Sequence, residues 1–292
     1  MSDRTAKGIY ILVTMNATLF VVIFLAVAFN YRLAADDFHY LVKSKNLGIW
    51  DAMLFYYHNW NPRWSATLVT NAFLAAYSSP LTLFLFHLSS LVLGAISIFS
   101  FLHGIGQHLS LPFTRLQLTL FSFYLLGALF YGAFSKDDSW YWITVAPMYL
   151  WGSFAAVLGG SFILQKWNRP LRSLLIGLWF LYAGGASETI AIATLAILFY
   201  LGFVTHGNQT ENVIDRTALH LATISCFIGF GIDITGAGAL VRYEHLPHLS
   251  ITDKMLVGFW NYLKITFVEI PLTLPFILLF VSPLAYFGRK QL

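Results

Sequence analysis

Long apolar runs separated by short polar segments extend along most of the chain. Each run is apolar on all sides of a helix and lacks the polar stripe of an amphipathic surface helix. A helix needs roughly 20 apolar residues to cross the hydrocarbon core of a bilayer. The pattern therefore predicts an all-α, polytopic membrane protein with about eight transmembrane helices. The predicted spans are residues 8–31, 81–102, 116–134, 143–165, 173–187, 189–205, 217–236 and 265–287.

The segment 65–102 has two interpretations, because Ser78-Ser79-Pro80 interrupts it. It could form two short spans, or a half-buried helix over 65–79 followed by one span over 81–102. The loop 166–172 is basic and contains no acid, so the positive-inside rule places it in the cytoplasm together with the N-terminus. An even number of spans must then separate the two. This favours the single-span interpretation and places both chain ends inside.

Composition supports the membrane class. Of the 292 residues, 58% are apolar and only 10% are charged, whereas a soluble domain carries about 25% charged residues. Too little polar surface is available to cover a soluble core, which excludes a soluble enzyme, a disordered chain and a nucleic-acid binder. The one cysteine, Cys226, excludes an internal disulfide framework and a thiolate zinc site. We expect a single transmembrane domain over 1–292, with no separate soluble domain.

Acidic residues concentrate on one side of the predicted topology. Asp36 and Asp37 follow the first span, Asp137 and Asp138 follow the third, and Glu188 lies between two short spans. All five then approach the outer face. An acid at a membrane edge costs about 2.5–3.5 kcal/mol on insertion scales, so acids are rare there without a partner or a role. The distribution predicts a hydrated cavity at the outer face.

Each acid also has a simpler interpretation. Asp37 could cap a helix that starts near Phe38, and Asp137 or Asp138 could cap a helix that starts just after them. Glu188 could be a plain helix-start acid. One acid suffices for a cap, however, and adjacent acids repel each other, so the two doublets favour a functional role.

The first outer loop, about residues 32–80, is too long for a simple connection. Trp50, Met53, Tyr57 and Trp60 recur at helical spacing, which predicts an interfacial helix with aromatic side chains at headgroup depth. This helix could be an anchor, or it could form a wall of a lipid-facing substrate site. Arg63 flanks a membrane entry, where it could pair with a phosphate or extend to the interface.

Four local strings occur in a defined order along this arrangement. They are Ala35-Asp36-Asp37-Phe38, Asn61-Pro62-Arg63-Trp64, Tyr141-Trp142-Ile143-Thr144 and Gly184-Gly185-Ala186-Ser187-Glu188. Over roughly residues 8–242, the order of strings and spans resembles the GT-C class of membrane glycosyltransferases. Within that class, it is most similar to a family of uncharacterised bacterial multi-pass membrane proteins.

This resemblance implies an enzyme of the cytoplasmic membrane with its active site on the outer face. Such an inverting hexosyl- or pentosyltransferase takes a sugar from a polyprenyl-phosphate carrier and passes it to a glycan, lipid or protein acceptor. By position, Asp36 or Asp37 would be the general base that removes the proton of the acceptor hydroxyl, or it would orient the acceptor.

The resemblance also implies roles for other charged residues. The leaving phosphate needs cationic stabilisation, for which the candidates are Arg63, Arg242 and Lys136. Sugar hydroxyls would be oriented by Asp137, Asp138 and Glu188. A divalent cation such as Mg²⁺ or Mn²⁺ would take oxygen ligands, with Asp37, Asp137 and Asp138 as candidates. Since not all members of the class need metal, no cofactor is assigned.

Two other functions remain open at this stage. One is a transporter or flippase for a lipid-linked or polar solute, since acids and broken helices also occur along transport pathways. The other is a non-catalytic membrane subunit. Transporters place acids near the bilayer midplane and often contain repeats, whereas here the acids follow one face and no repeat is visible. This difference favours the enzyme.

Overall fold

The described part of the chain is helical apart from short connections. The computed structural model describes residues 3–111, 113–133, 137–165, 169–207, 215–245 and 250. It is 87% helical, and no strand occurs among these residues, so the all-α prediction is confirmed. In chain order the helices are α1 (Asp3–Asn30), α2 (Asp36–Leu47), α3 (Ile49–Asn59), α4 (Trp64–Ala75), α5 (Pro80–His108), α6 (Arg115–Gly132), α7 (Gly152–Leu164), α8 (Arg169–Ala186), α9 (Glu188–Gly207), α10 (Arg216–Thr235) and α11 (Ala237–His245). Two π-helical turns, Asp137–Tyr141 and Pro147–Trp151, precede α7.

Five of the described helical segments are long and apolar enough to cross a membrane. These segments indicate a membrane protein, and each coincides with a predicted span. They are Tyr10–Asn30, Pro80–His108, Pro147–Leu164, Glu188–Thr205 and Arg216–Thr235.

The remaining three predicted spans are not among these five. The spans at 116–134 and 173–187 correspond to α6 and α8, which have 18 residues each. The span at 265–287 lies outside the described residues. The count of eight spans therefore stays a prediction.

The structure agrees with the single-span interpretation of residues 65–102. Helix α4 has 12 residues, which corresponds to about 18 Å and is shorter than the hydrocarbon core. One face of α4 is buried inside the protein. Helix α5 then begins at Pro80, in the first-turn position that proline favours, and continues for 29 residues.

Contacts between the ends of the helices define two opposite ends of the molecule. At one end, the start of α2 contacts the segment before α7, and the residue before α4 contacts the start of α9. We call this the acidic end, because Asp36, Asp37 and Glu188 lie there. At the opposite end, α5 contacts the end of α7, and the start of α10 contacts the end of α9. We call this the basic end, because Arg172 and Arg216 lie there.

An aromatic core holds the first π-helical turn against α1 and α6. Phe24 is fully buried, and its ring stacks on that of Tyr141 with 5.2 Å between centroids. Trp140 packs edge-on against Phe24 and Phe130. These contacts place the chain that follows residue 141 beside the end of α1.

The helix predicted around residues 50–60 is present as α3, but its predicted stripe is divided. Trp50 is exposed, whereas Met53 is buried together with Ala52 and Tyr56. The Tyr57 hydroxyl donates to the carbonyl of Ile232 at the end of α10. One face of α3 therefore packs against the rest of the protein, whereas Trp50 on the same helix remains exposed.

Glycines allow α8 and α10 to approach until their backbones touch. A Cβ atom on Gly184 would lie 2.2 Å from the Cys226 carbonyl oxygen, and one on Gly229 would lie 2.3 Å from that of Leu181. Small residues permit such approaches between membrane helices. Close packing therefore accounts for the glycines in the string 184–188.

We predict that Gly229→Ala destabilises the protein and that Gly231→Ala, on the same helix, does not. An added Cβ at Gly229 collides with backbone, which should cost about 1–3 kcal/mol. A Cβ at Gly231 meets nothing within 4 Å, and alanine has the higher helix propensity. Thermal unfolding in detergent measures both variants, and equal melting temperatures would contradict the packing.

Candidate functional site

A cavity of about 390 Å³ opens at the acidic end. Its walls come from α2, α3, the loop at 60–63 and the segment 144–149. Aromatic walls with a few polar groups are typical of small-molecule sites of this size. We call it the site cavity, and it is lined by Asp36, His39, Tyr40, Tyr56, Trp60, Asn61, Arg63, Thr144, Val145, Met148 and Tyr149.

Asp36 presents a carboxylate on the cavity wall. Its side chain is exposed and forms no hydrogen bond or ion pair with the described part of the chain. Burial is the main cause of the raised pKa values of Tyr40 and Tyr56, and the charge of Asp36 raises both further. This carboxylate therefore lies close to both phenols and can interact with a ligand in the cavity.

Asp37, the adjacent residue, is fully buried and uses both carboxylate oxygens. Oδ1 accepts from the Thr144 amide at 3.2 Å, and Oδ2 accepts from the Ala34 amide at 3.1 Å and the Tyr31 hydroxyl at 3.3 Å. Helix α2 begins at Asp36 without a side-chain cap. The interpretation of Asp37 as the cap of a helix starting near Phe38 is therefore wrong.

These environments separate the roles of the two adjacent acids. Burial raises the pKa of Asp37, and the hydrogen bonds from Ala34, Thr144 and Tyr31 only partly offset this effect. Between the two anchored positions, Ala35 has φ of +39°, a strained value for a residue with a side chain. Asp37 therefore holds a strained turn in place, while Asp36 faces the cavity.

Two stacked tyrosines form one wall of the site cavity. The rings of Tyr40 and Tyr56 lie 3.9 Å apart, at an angle of 9°. Asn61 donates to the Tyr40 hydroxyl at 3.3 Å, and the Tyr56 hydroxyl lies 2.9 Å from Nδ1 of His39. Stacking and hydrogen bonds together fix the orientation of this wall.

Arg63 and Glu188 form an ion pair beside the cavity. Both Nε and Nη2 of Arg63 lie 2.8 Å from Oε2 of Glu188, and Nη1 contacts the Met148 sulfur at 3.4 Å. The side chains are 12% and 33% exposed, respectively. Sequence analysis assigned these residues to different ligand groups, the phosphate and the sugar, whereas the structure brings them together.

No family model, curated protein or solved structure matches the chain. The resemblance to GT-C glycosyltransferases therefore stays a prediction. The interpretation of the site depends on its geometry and on the sequence patterns.

Several predicted site residues fall outside the described structure. Lys136 lies outside it entirely. For Asp137, Asp138 and Arg242 the backbone is described, but the side chains lie outside the described part. Helix α11, which carries Arg242, begins against the end of α3 and the loop that follows it. A Cβ on Gly238 would lie 2.8 Å from the Tyr57 carbonyl oxygen and 2.8 Å from the Trp60 amide nitrogen. No group of His, Cys, Asp and Glu that could hold a metal ion occurs among the described residues.

Sequence reasoning did not assign Tyr40, Tyr56, Asn61 and Thr144, which line the cavity together with Asp36. Tyr40 lies four residues after Asp36, so the two share a helix face, and this spacing was an available signal. Thr144 and Asn61 belong to the strings on which the resemblance depends. For Tyr56, helix periodicity alone could not indicate that it would stack on Tyr40.

We predict that Asp37→Asn lowers the melting temperature, whereas Asp36→Asn leaves it unchanged. Asparagine has one acceptor oxygen, so it would turn an NH₂ group toward an amide donor that Asp37 now satisfies. An unsatisfied buried group costs about 1–3 kcal/mol. Thermal unfolding in detergent compares the two. Equal stability of the two variants would contradict a structural role for Asp37.

We also predict that Arg63 and Glu188 are energetically coupled. A double-mutant cycle with Arg63→Gln and Glu188→Gln should give a coupling near the lower end of roughly 0.5–3 kcal/mol, because the pair is partly exposed. As a control, Lys45→Met combined with Glu188→Gln should be additive, since Lys45 contacts the Ala75 carbonyl. Additive effects in both cycles would exclude the ion pair.

Proposed function

We propose that the chain is an inverting membrane glycosyltransferase. In this proposal it transfers a sugar from a polyprenyl-phosphate carrier to a hydroxyl of a glycan, lipid or protein acceptor. The observation that carries the proposal is the position of Asp36 on an aromatic-walled cavity at the acidic end. Glycosyl transfer to a hydroxyl needs a positioned base, and a carboxylate without an internal partner suits that task.

The reaction is a single displacement at the anomeric carbon. The acceptor hydroxyl gives its proton to the Asp36 carboxylate as its oxygen attacks the anomeric carbon. The bond between that carbon and the phosphate oxygen breaks, and the electron pair leaves with the lipid phosphate. The attack comes from the face opposite the leaving group, so the configuration inverts.

Other cavity residues would position the substrates. The exposed aromatic surface of Trp60 and Tyr149 suits the apolar faces of a sugar ring, while Asn61 and His39 offer hydrogen bonds to its hydroxyls. Arg63 lines the same cavity and would add positive charge near the leaving phosphate, although Glu188 neutralises part of it.

The distribution of charge favours an outer-face active site. The short loop 166–172, which is basic and has no acid, is placed in the cytoplasm by the positive-inside rule and ends at Arg172 in the basic end. The cations of the acidic end, Arg32, Lys43, Lys45 and Arg63, lie in or beside the long first loop. The acidic end, with the site cavity, would then face outward in the cytoplasmic membrane.

The placement of Asp36 and Glu188 favours this proposal over a transporter. Asp36 and Glu188 are the first residues of their helices, α2 and α9, whereas transport pathways concentrate acids near the bilayer midplane. A non-catalytic subunit would not transfer sugar as a purified chain.

We predict that Asp36→Asn lowers the transfer rate by about 100-fold or more, the range expected for loss of a general base. Purified protein in liposomes would be incubated with radiolabelled polyprenyl-phosphate sugars, and loss of label from the carrier would be measured. Asp51→Asn is the matched control, because Asp51 is an exposed acid on α3 that does not line the cavity.

Three results would oppose the proposal. Wild-type turnover in Asp36→Asn would exclude this residue as the base. Passage of intact labelled carrier across sealed liposomes without transfer would favour the flippase. Transfer that appears only when a second protein is added and continues with Asp36→Asn would favour the non-catalytic subunit.

A further inference from the structure

A second cavity, of about 450 Å³, lies among three membrane-length segments near the basic end. Helix α7 forms its floor through Ala156 and Gly160, and α5 and α9 form its sides through Phe101 and Ile197. We call it the α7 groove. It shares no lining residue with the site cavity. Phe101 is 36% exposed and Ile197 is 61% exposed, so the groove opens toward the surrounding membrane.

The α7 groove is apolar along its whole length. Among its described lining residues, Thr194 alone has a polar side chain, and that side chain is buried. Apolar cavities stay dry and bind apolar molecules. Because α5, α9 and the segment that ends with α7 are long and apolar enough to cross a membrane, the molecules that surround the groove are hydrocarbon chains.

The length of the α7 groove matches one leaflet of a bilayer. Its floor extends from Ala156 to Leu164, which corresponds to a rise of about 12 Å along a helix. The hydrocarbon of one leaflet is about 15 Å deep, half of the bilayer core, whereas a transmembrane helix would need a groove across both leaflets. The groove ends at the basic end, where the Leu164 carbonyl lies 2.8 Å from Nε2 of His108. A chain in the groove would therefore belong to a lipid of the leaflet at the basic end.

An exposed arginine lies one helical turn beyond the α7 groove. Leu201 of α9 lines the groove, and Thr205 follows it by four residues on the same helix face. Nη2 of Arg216 donates to the Thr205 carbonyl at 3.0 Å. The neighbouring acid, Asp215, is paired with Arg172, and Arg216 contacts no acid in the described structure. A guanidinium has five N–H donors, so the other donors of Arg216 suit a phosphate.

We infer that the α7 groove binds an anionic phospholipid, with one acyl chain over Ala156 and Gly160 and the phosphate at Arg216. The positive-inside rule places the basic end in the cytoplasm, and the cytoplasmic leaflet carries anionic lipids. Glu188–Thr205 is the least buried of the five membrane-length segments, so a lipid held between α5 and α9 would stabilise the position of α9. The lipid would bind whether or not the chain transfers sugar.

Lipid binding to the purified full chain tests this inference. Native mass spectrometry would measure the binding of phosphatidylglycerol to detergent-solubilised protein over a titration. We expect Gly160→Leu to weaken binding about tenfold or more, the loss expected when two or more CH₂ groups leave an apolar site. A Cβ at Gly160 meets nothing within 4 Å, so the larger side chain would fill the groove. Gly160→Ala, which adds one methyl group, should fold as the wild type does and weaken binding less.

A second glycine provides the matched control. Gly231 on α10 also has nothing within 4 Å of an added Cβ, and it does not line the groove. Gly231→Leu should therefore bind phosphatidylglycerol as the wild type does. Unchanged affinity in Gly160→Leu, with the variant folded by thermal unfolding, would overturn the groove as a lipid site.

Substitution of Arg216 tests the headgroup contact. Arg216→Gln should reduce the preference for phosphatidylglycerol over phosphatidylcholine about fivefold, the effect of one cation near an anionic lipid surface. Arg115→Gln is the control, because Arg115 is an exposed arginine at the start of α6, a helix that does not line the groove. Equal affinity of the wild-type protein for the two lipids would overturn the assignment of an anionic lipid.

Other occupants of the α7 groove would give different results. A wild-type dimer that Gly160→Leu dissociates would assign the groove to a second copy of the chain. Failure of the wild-type protein to bind either lipid, together with a disulfide between Ile197→Cys and a cysteine scan of residues 265–287, would assign it to the predicted last span. Either result would overturn the lipid.

Discussion

The buried carboxylate of Asp37 joins the two chain segments on which the candidate site is built. Removing a carboxylate from water costs several kcal/mol unless hydrogen bonds replace its hydration. Here two backbone amides and one phenol hydroxyl supply those bonds. One oxygen holds the turn after α1, and the other holds Thr144. The cavity wall that carries Asp36 and the wall formed by 144–149 are therefore tied to each other, and a change at Asp37 acts on both.

A second group of contacts fixes the opposite side of the cavity. The Arg63–Glu188 pair joins the start of α4 to the start of α9, and the Trp64 indole donates to the Gly229 carbonyl of α10. Trp64 fits there only because Gly185 has no side chain, since a Cβ would lie 2.3 Å from the indole nitrogen. The glycine string and the Arg63 string thus act as one packing unit, and the ion pair sits on a backbone that has little freedom to move.

The sequence by itself determined the helical class, the five membrane-length segments and the clustering of Asp36, Asp37 and Glu188 at one end, because the length of the apolar runs and the placement of charges are local properties of the chain. It did not separate the roles of Asp36 and Asp37, and it did not reveal that Arg63 binds Glu188. Those facts depend on contacts between distant parts of the chain. Asp37 and Thr144 are 107 positions apart, and Arg63 and Glu188 are 125 positions apart. Burial and partner choice arise only when the helices pack, so only the tertiary structure decided which acid is held inside the protein and which faces the cavity.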